Sequence, residues 1–195
     1  MRADAKKNYD LLLGAAGAVV AEQGAEASLR DVARRAGVGL GTLYRHFPTR
    51  EALLAALLRT GFDELVARAA ELEASGRPQD ALLSWVRECV HFSTVYRGVT
   101  EAMVSAIEEP ESALHESCVA LRASGARLLD RAQGAGEARA GLDGTDLFAL
   151  IAGLAWLGDQ PALAARAGHL FDVVARPALV AEPVVSPSGG AGDGG

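Results

Sequence analysis

Residues 28–54, SLRDVARRAGVGLGTLYRHFPTREALL, decide how this chain reads. Leu29, Val32, Ala33 and Ala36 recur at helical spacing, so the stretch opens with a short helix that buries one face. Ser28 stands at the N-cap position, and Asp31 three residues on completes a capping-box-like start. Gly37 follows where a helix end favours a residue at positive φ. Val38 plugs the corner, and Leu43 and Phe47 supply the apolar face of a second short helix. Two helices joined by a short glycine-containing turn form a helix-turn-helix, which presents its second helix to the DNA major groove.

The pattern around that corner, AxxAGVGxGTLYRHFxTREAL over residues 33–53, resembles the signature of TetR-type transcriptional repressors. The likeness continues upstream through Leu12-Leu13, Ala15-Ala16, Val20 and Glu22-Gln23-Gly24, which match the apolar positions and closing glycine of that family's first helix. What the resemblance implies is a one-component regulator: a dimer that binds a palindromic operator and leaves it when a small molecule binds. It also implies roles for single residues. Arg30, in the first turn of the second helix, reaches a base or a phosphate, and Thr42, Tyr44 and His46 match phosphate-contacting positions. Leu40, Gly41 and Thr42 open the reading helix, whose N-terminal residues face base edges. Leu40 suits a thymine methyl, and Gly41 lets the backbone come close. Arg50 adds a cation beside the free N–H groups at the start of a fourth helix, a seat for phosphate.

Each residue also has a plainer reading. The Tyr44 ring packs on the helix-turn-helix core, donates to DNA, or does both. Arg34 and Arg35 are solvated or generally electrostatic, and Arg45 points to an undetermined side of a short helix. His46 as a metal ligand lacks a second ligand at zinc spacing. The charge distribution favours DNA contact at one end only. Residues 1–60 hold nine Lys/Arg and six Asp/Glu, a net of +3, whereas residues 61–195 hold ten and nineteen, a net of −9. Phosphate neutralisation depends on local cations, so a basic N-terminal module binds DNA while the acidic remainder is repelled from the duplex.

The rest of the chain reads as helices. The first runs from about Asn8 to Gln23, with Gly14 and Gly17 inside it, each costing roughly 1 kcal/mol against alanine and so implying close packing. Thr49 caps a fourth helix carrying Leu53, Leu54, Leu57, Leu58, Phe62, Leu65 and Val66 on one face, and Gly76-Arg77-Pro78 breaks it. Leu82, Trp85, Val86, Cys89, Val90 and Phe92 mark the next, ending near Arg97-Gly98. A short segment from about Thr100 to Ile107 leads to Pro110. Leu114, Cys118, Leu121, Gly125, Leu128, Leu129 and Ala132 form the stripe of a long helix, and residues 134–143 form a loop. Two last stripes follow, at Leu147, Leu150, Ile151 and Leu154, then at Leu163, Ala167, Leu170, Phe171 and Val174. No strand-like alternation of useful length occurs, so the fold class is all-α: an N-terminal three-helix DNA-binding domain over 1–50 and a helical effector-binding and dimerisation domain over 51–180. From Pro177, and above all over 181–195, apolar content is too low to pack, and a disordered tail is expected.

The two C-terminal stripes either pair across a dimer axis as a four-helix bundle or serve the chain's own core. An effector pocket is expected among the middle helices, with Trp85, Cys89, Phe92, Tyr96, Met103, Cys118, Leu121, Arg122 and Trp156 as the candidate lining. Any of these, and His91, also suits plain core, and Arg122 also suits a solvated surface. His115 and Cys118 stand three apart, but no orienting Asp or Asn, GxSxG, P-loop or dinucleotide fingerprint accompanies them, so no enzyme, cofactor or metal site is expected. Cys89 and Cys118 read as free buried thiols. Although 50% of residues are hydrophobic, no uninterrupted run reaches the roughly 18 apolar residues a membrane span needs, and MRADAKKNYD lacks the apolar stretch of a secretory signal. The expected location is the cytoplasm. A helical interaction protein of the same fold without specific DNA binding is the other reading.

Overall fold

Helix-ending residues divide the chain much as the sequence marks them. The structure, a computed structural model, describes residues 2–24, 26–96 and 114–181. Helix α1 spans Arg2–Gln23. It starts earlier than Asn8 because nothing in residues 2–8 breaks a helix, and Lys6 pairs with Asp10 one turn on at 2.8 Å. Then come α2 (Leu29–Ala36), α3 (Leu40–His46), α4 (Arg50–Ala74) and α5 (Pro78–Val95). The segment expected from Thr100 to Ile107 lies outside the described residues. Beyond it are α6 (His115–Gly134) and α7 (Gly144–Asp159). The helix expected over 163–174 is instead a 3₁₀ turn at Ala164–Arg166, a short α8 (Ala167–Leu170), a π turn at Phe171–Ala175 and α9 (Arg176–Leu179). The π turn sets Phe171 and Ala175 inward and leaves Val174 exposed. Among the described residues the fold is all-α, and the one extended contact is an antiparallel bridge between Ala138 and Val180.

That bridge corrects the expected loss of order from Pro177. The Arg139 N–H donates to the Leu179 carbonyl at 2.8 Å, the Ala181 N–H donates to the Glu137 carbonyl at 3.2 Å, and Leu179 is fully buried. Two apolar anchors, Leu179 and Val180, are enough to dock the chain against the α6–α7 loop. Residues 182–195 lie outside the described residues.

Two apolar cores form, joined through α4. Leu12, Ala16, Val19, Val32, Leu43, Phe47 and Leu53 fill the first, between α1, α2, α3 and the start of α4. Leu58, Phe62, Trp85, Val86, Leu121, Leu128, Leu129, Leu147 and Ile151 fill the second. At about 1.5 Å per residue the 25-residue α4 is about 37 Å long, so one rigid rod reaches from the helix-turn-helix into the body. Trp85 is 0% exposed, and its indole N–H donates to the Leu65 carbonyl at 3.0 Å, so α5 is bolted to α4. A ring this size contributes roughly 4–6 kcal/mol of gross burial. Gly125 on α6 makes room for it, since a Cβ there would lie 2.7 Å from the Trp85 ring.

The cap of one helix differs from expectation. Thr49 caps α4, its hydroxyl oxygen accepting from the Ala52 N–H at 3.1 Å. Ser28 takes the N-cap position of α2 but makes no side-chain cap bond, and Asp31 accepts instead from Arg34 at 2.8 Å. The reciprocal capping box belongs to α7. There Asp143 accepts from the Thr145 and Asp146 N–H groups at 2.6 and 3.0 Å, while Asp146 accepts from the Asp143 N–H at 3.1 Å. Within α1 the close packing expected at the two glycines is not found: a Cβ at Gly17 would meet the Tyr96 hydroxyl at 3.4 Å, an ordinary contact, and Gly14 faces an open groove.

Candidate nucleic-acid interface

The turn between α2 and α3 sets the site. Gly37 closes α2 at φ 67° and ψ 26°, a left-handed conformation that favours glycine. The Gly37 N–H then reaches the Arg34 carbonyl at 3.2 Å and the Val38 N–H the Ala33 carbonyl at 3.1 Å. With the α2 end sealed, the chain turns sharply and α3 begins one residue after Gly39. Leu43 and Phe47 are buried against α1, α2 and α4, which fixes the rotation of α3 about its own axis. The opposite face is therefore presented outward.

That face carries Gly41, Tyr44 and Arg45, all exposed, with Thr42 half-buried at its edge. Tyr44 is 47% exposed, so its phenol stands in solvent rather than in the core. Leu40 is half-buried and leans on the first core. Arg45 folds back along α3: its Nε donates to the Gly41 carbonyl at 3.3 Å and its Nη2 to the Thr42 hydroxyl at 3.2 Å. The sequence left Arg45 undirected. The signal was its spacing, since the bare backbone of Gly41 lies one turn before it and lets the guanidinium lie down.

His46 is half-buried in an aromatic group, its ring centroid 6.2 Å from Tyr9 and 6.3 Å from Phe47, so it ties α3 to α1. Arg30 is exposed on α2 and, among the described residues, makes no ion pair. The neighbouring arginines are partnered: Arg34 with Asp31 at 2.8 Å and Arg35 with Glu22 at 2.7 Å. Arg50 stands at the start of α4 and donates to Glu26 at 2.6 Å. The α4 N–H groups beside it are less free than the sequence implies. Thr49 takes that of Ala52, and the backbone N–H of Glu51 and the Thr49 hydroxyl hold the Glu51 carboxyl below the usual range.

The candidate pocket residues are scattered. Trp85, Cys89, Cys118 and Leu121 are buried in the second core, where burial raises both thiols, Cys118 to about 11. Arg122 spans the α6–α7 seam, donating to the Thr145 hydroxyl at 3.0 Å with its guanidinium 5.8 Å over the Phe148 ring. Trp156 lies on the outer face of α7, 58% exposed. Met103 lies outside the described residues. Phe92 and Tyr96 are the pair the fold brings together, ring centroids 4.7 Å apart at the end of α5, where they line a groove of about 530 Å³ with Arg87, Glu88, His91 and Val95. Gly61 on α4 leaves the space that Phe92 fills. Tyr96 also faces a groove of about 470 Å³ between α1 and α4; burial, then the Glu64 carboxylate, pushes its phenol up. Among the described residues no cluster of His, Cys, Asp or Glu could hold a metal ion, and no helix is long and apolar enough to cross a membrane.

Comparison with known proteins agrees with this geometry. Residues 12–57 match the family of bacterial regulatory proteins, tetR family, and residues 77–176 match the SbtR-like transcriptional regulator C-terminal domain. The fold is similar to that of a TetR transcriptional regulator from Streptomyces coelicolor, with a TM-score of 0.69 and 35% identity over 89% of this chain and 99% of that one. A TetR transcription regulatory protein from Mycobacterium vanbaalenii gives 0.65 and 32% over 92% and 98%. In sequence, 73 residues are 38% identical to the HTH-type transcriptional repressor KstR2 of Rhodococcus jostii, covering 37% of this chain and 36% of that protein. With both the helix-turn-helix and the helical body matched, the chain belongs to the TetR family of bacterial transcriptional regulators.

Proposed function

We propose that this protein is a cytoplasmic repressor that binds a palindromic operator as a homodimer and releases it when a small molecule binds the helical body. The observation that carries this reading is the outward face of α3, where Gly41, Tyr44 and Arg45 stand in solvent while Leu43 and Phe47 anchor the helix. In this reading Leu40, Gly41 and Thr42 meet base edges, and Arg30, Tyr44, His46 and Arg50 meet backbone phosphates. Two heads read half-sites one helical turn apart, about 34–36 Å. Pairing falls to the outer face of α7 and the segment beyond it, because Leu147, Ile151, Leu154 and Phe171 are already spent inside the chain while Trp156, Val173 and Val174 are exposed. The effector enters beside Phe92 and Tyr96, and α4 carries the change to Arg50. An effector that prefers the wrong head spacing lowers operator affinity by its differential affinity for the two states.

The test is binding of the purified protein to its own upstream intergenic DNA and to a random duplex, at two salt concentrations. Specific, salt-sensitive binding by a dimer supports the reading. Equal binding to both duplexes favours a helical interaction protein of the same fold. Arg50→Ala should weaken both duplexes about equally and flatten the salt slope by about one unit. Loss of operator binding alone would make Arg50 a base reader.

A further inference from the structure

The seat proposed for a DNA phosphate at Arg50 is filled, in the free protein, by a carboxylate. Arg50 Nη1 donates to Glu26 Oε2 at 2.6 Å, and Arg50 Nε lies 3.9 Å from Glu51 Oε1. The two acids are held differently. Glu51 sits on the first turn of α4, next in sequence to Arg50, and meets it only at this long distance. Glu26 comes from the connector between α1 and α2, and its side chain is 83% exposed. Described residues on either side of it are held in place: the Gly24 N–H donates to the Val20 carbonyl at 2.7 Å, the Ala27 N–H to the Gly24 carbonyl at 3.1 Å, and Ala27 is buried. Glu26 thus stands directly before the buried Ala27, and its exposed side chain has room to swing away from Arg50.

To a guanidinium, a carboxylate and a phosphate offer the same paired oxygen acceptors. We infer that Glu26 is a built-in phosphate surrogate: it occupies Arg50 in the free protein and yields to the DNA backbone, and so sets how tightly the head holds any duplex. This rests on the proposed phosphate-binding role of Arg50. Only molecules with Arg50 released bind at full strength, so apparent affinity is reduced by the fraction that is released. An exposed ion pair contributes little to folding, so it opens without disturbing the fold. Phosphates carry no sequence information, so the restraint falls on operator and random DNA alike. For a regulator that must leave bulk DNA to find one site, that is a useful restraint.

Glu26→Gln removes the charge and keeps the side chain's size. Dissociation constants for operator and random duplexes are measured at low salt for the wild type, Glu26→Gln, Arg50→Ala and the double variant, with thermal melts as a check of fold. Glu26→Gln should tighten both duplexes about two- to fivefold, the range of an exposed ion pair. In the Arg50→Ala background the same substitution should change nothing. A gain that persists without Arg50 makes Glu26 a general repeller of DNA and overturns the inference. So does weaker binding by a well-folded Glu26→Gln, which would mean the pair holds the head in its binding posture. Arg50→Ala binding as well as wild type would instead remove the phosphate role of Arg50 itself.

Discussion

At the scale of single residues, backbone conformation and burial make sharper demands than charge. Gly37 stands at φ 67°, where a side chain costs about 1–2 kcal/mol, so Gly37→Ala should lower the melting temperature by roughly 3–6 °C for a chain of this size. An unchanged thermal transition would show that the α2–α3 corner relaxes without cost. The ion pairs around the same corner, at Arg34, Arg35 and Arg50, are solvent-exposed and worth at most about 1 kcal/mol each, so they do little to hold the head together. Cys89 and Cys118 are both buried, and burial pushes both thiols up, Cys118 to about 11. Neither should react with a thiol-specific disulfide reagent at neutral pH until the protein unfolds. Stoichiometric labelling of the native protein within minutes would contradict this.

At the scale of elements, the caps decide where helices begin. The Asp143 carboxyl is held below its usual value by the Asp146 and then the Thr145 N–H groups at the start of α7. Its folded value is depressed, so its contribution is present above the unfolded value of about 4 and is lost as pH falls through the folded one. Asp143→Asn keeps an acceptor at the cap but does not titrate. Its acid unfolding curve should therefore be flatter than that of the wild type below about pH 4. Parallel curves would assign acid sensitivity elsewhere. The contrast with Ser28 is instructive. Both starts carry a capping residue followed three positions on by Asp, yet only Asp143–Asp146 closes the reciprocal pair: at α2 the Ser28 N–H donates to Gln23 Oε1 at 3.4 Å, and Asp31 accepts from Arg34 and Gln23. Side chains from neighbouring turns, Gln23 and Arg34, take up the partners that the α2 box would need.

At the scale of the whole molecule, apolar surface left over by folding points to association. Trp156, Val173 and Val174 are large, exposed and close to the C-terminal end of the body, whereas Leu147, Ile151, Leu154 and Phe171 are consumed by the second core. If the proposed dimer forms there, Trp156→Glu should yield monomers by light scattering. Operator affinity should fall by at least tenfold, since linkage of two heads supplies a gain of order 10²–10⁴. A variant that stays dimeric would place the interface on another face. The chain also separates charge, with net +3 over residues 1–60 and net −9 over residues 61–195, which under the proposed function restricts DNA to one end.

The amino-acid sequence by itself determined the local features of this protein. The positive-φ glycine at 37, the cap at Thr49, the break at 76–78 and the buried stripes of α4 to α7 follow from steric and periodic rules that act within a few residues, and the signature over 33–53 made the reading head legible. Tertiary structure decided what depends on distant partners. It chose Glu26 for Arg50 across 24 positions of sequence, laid Arg45 along α3, docked Leu179 and Val180 where low apolar content had implied disorder, and separated Phe92 and Tyr96 from the buried Trp85, Cys89 and Cys118. Spacing shows which residues share a helix face. Which face meets a neighbour, and which is left for DNA, a ligand or a second chain, is fixed only when the helices pack.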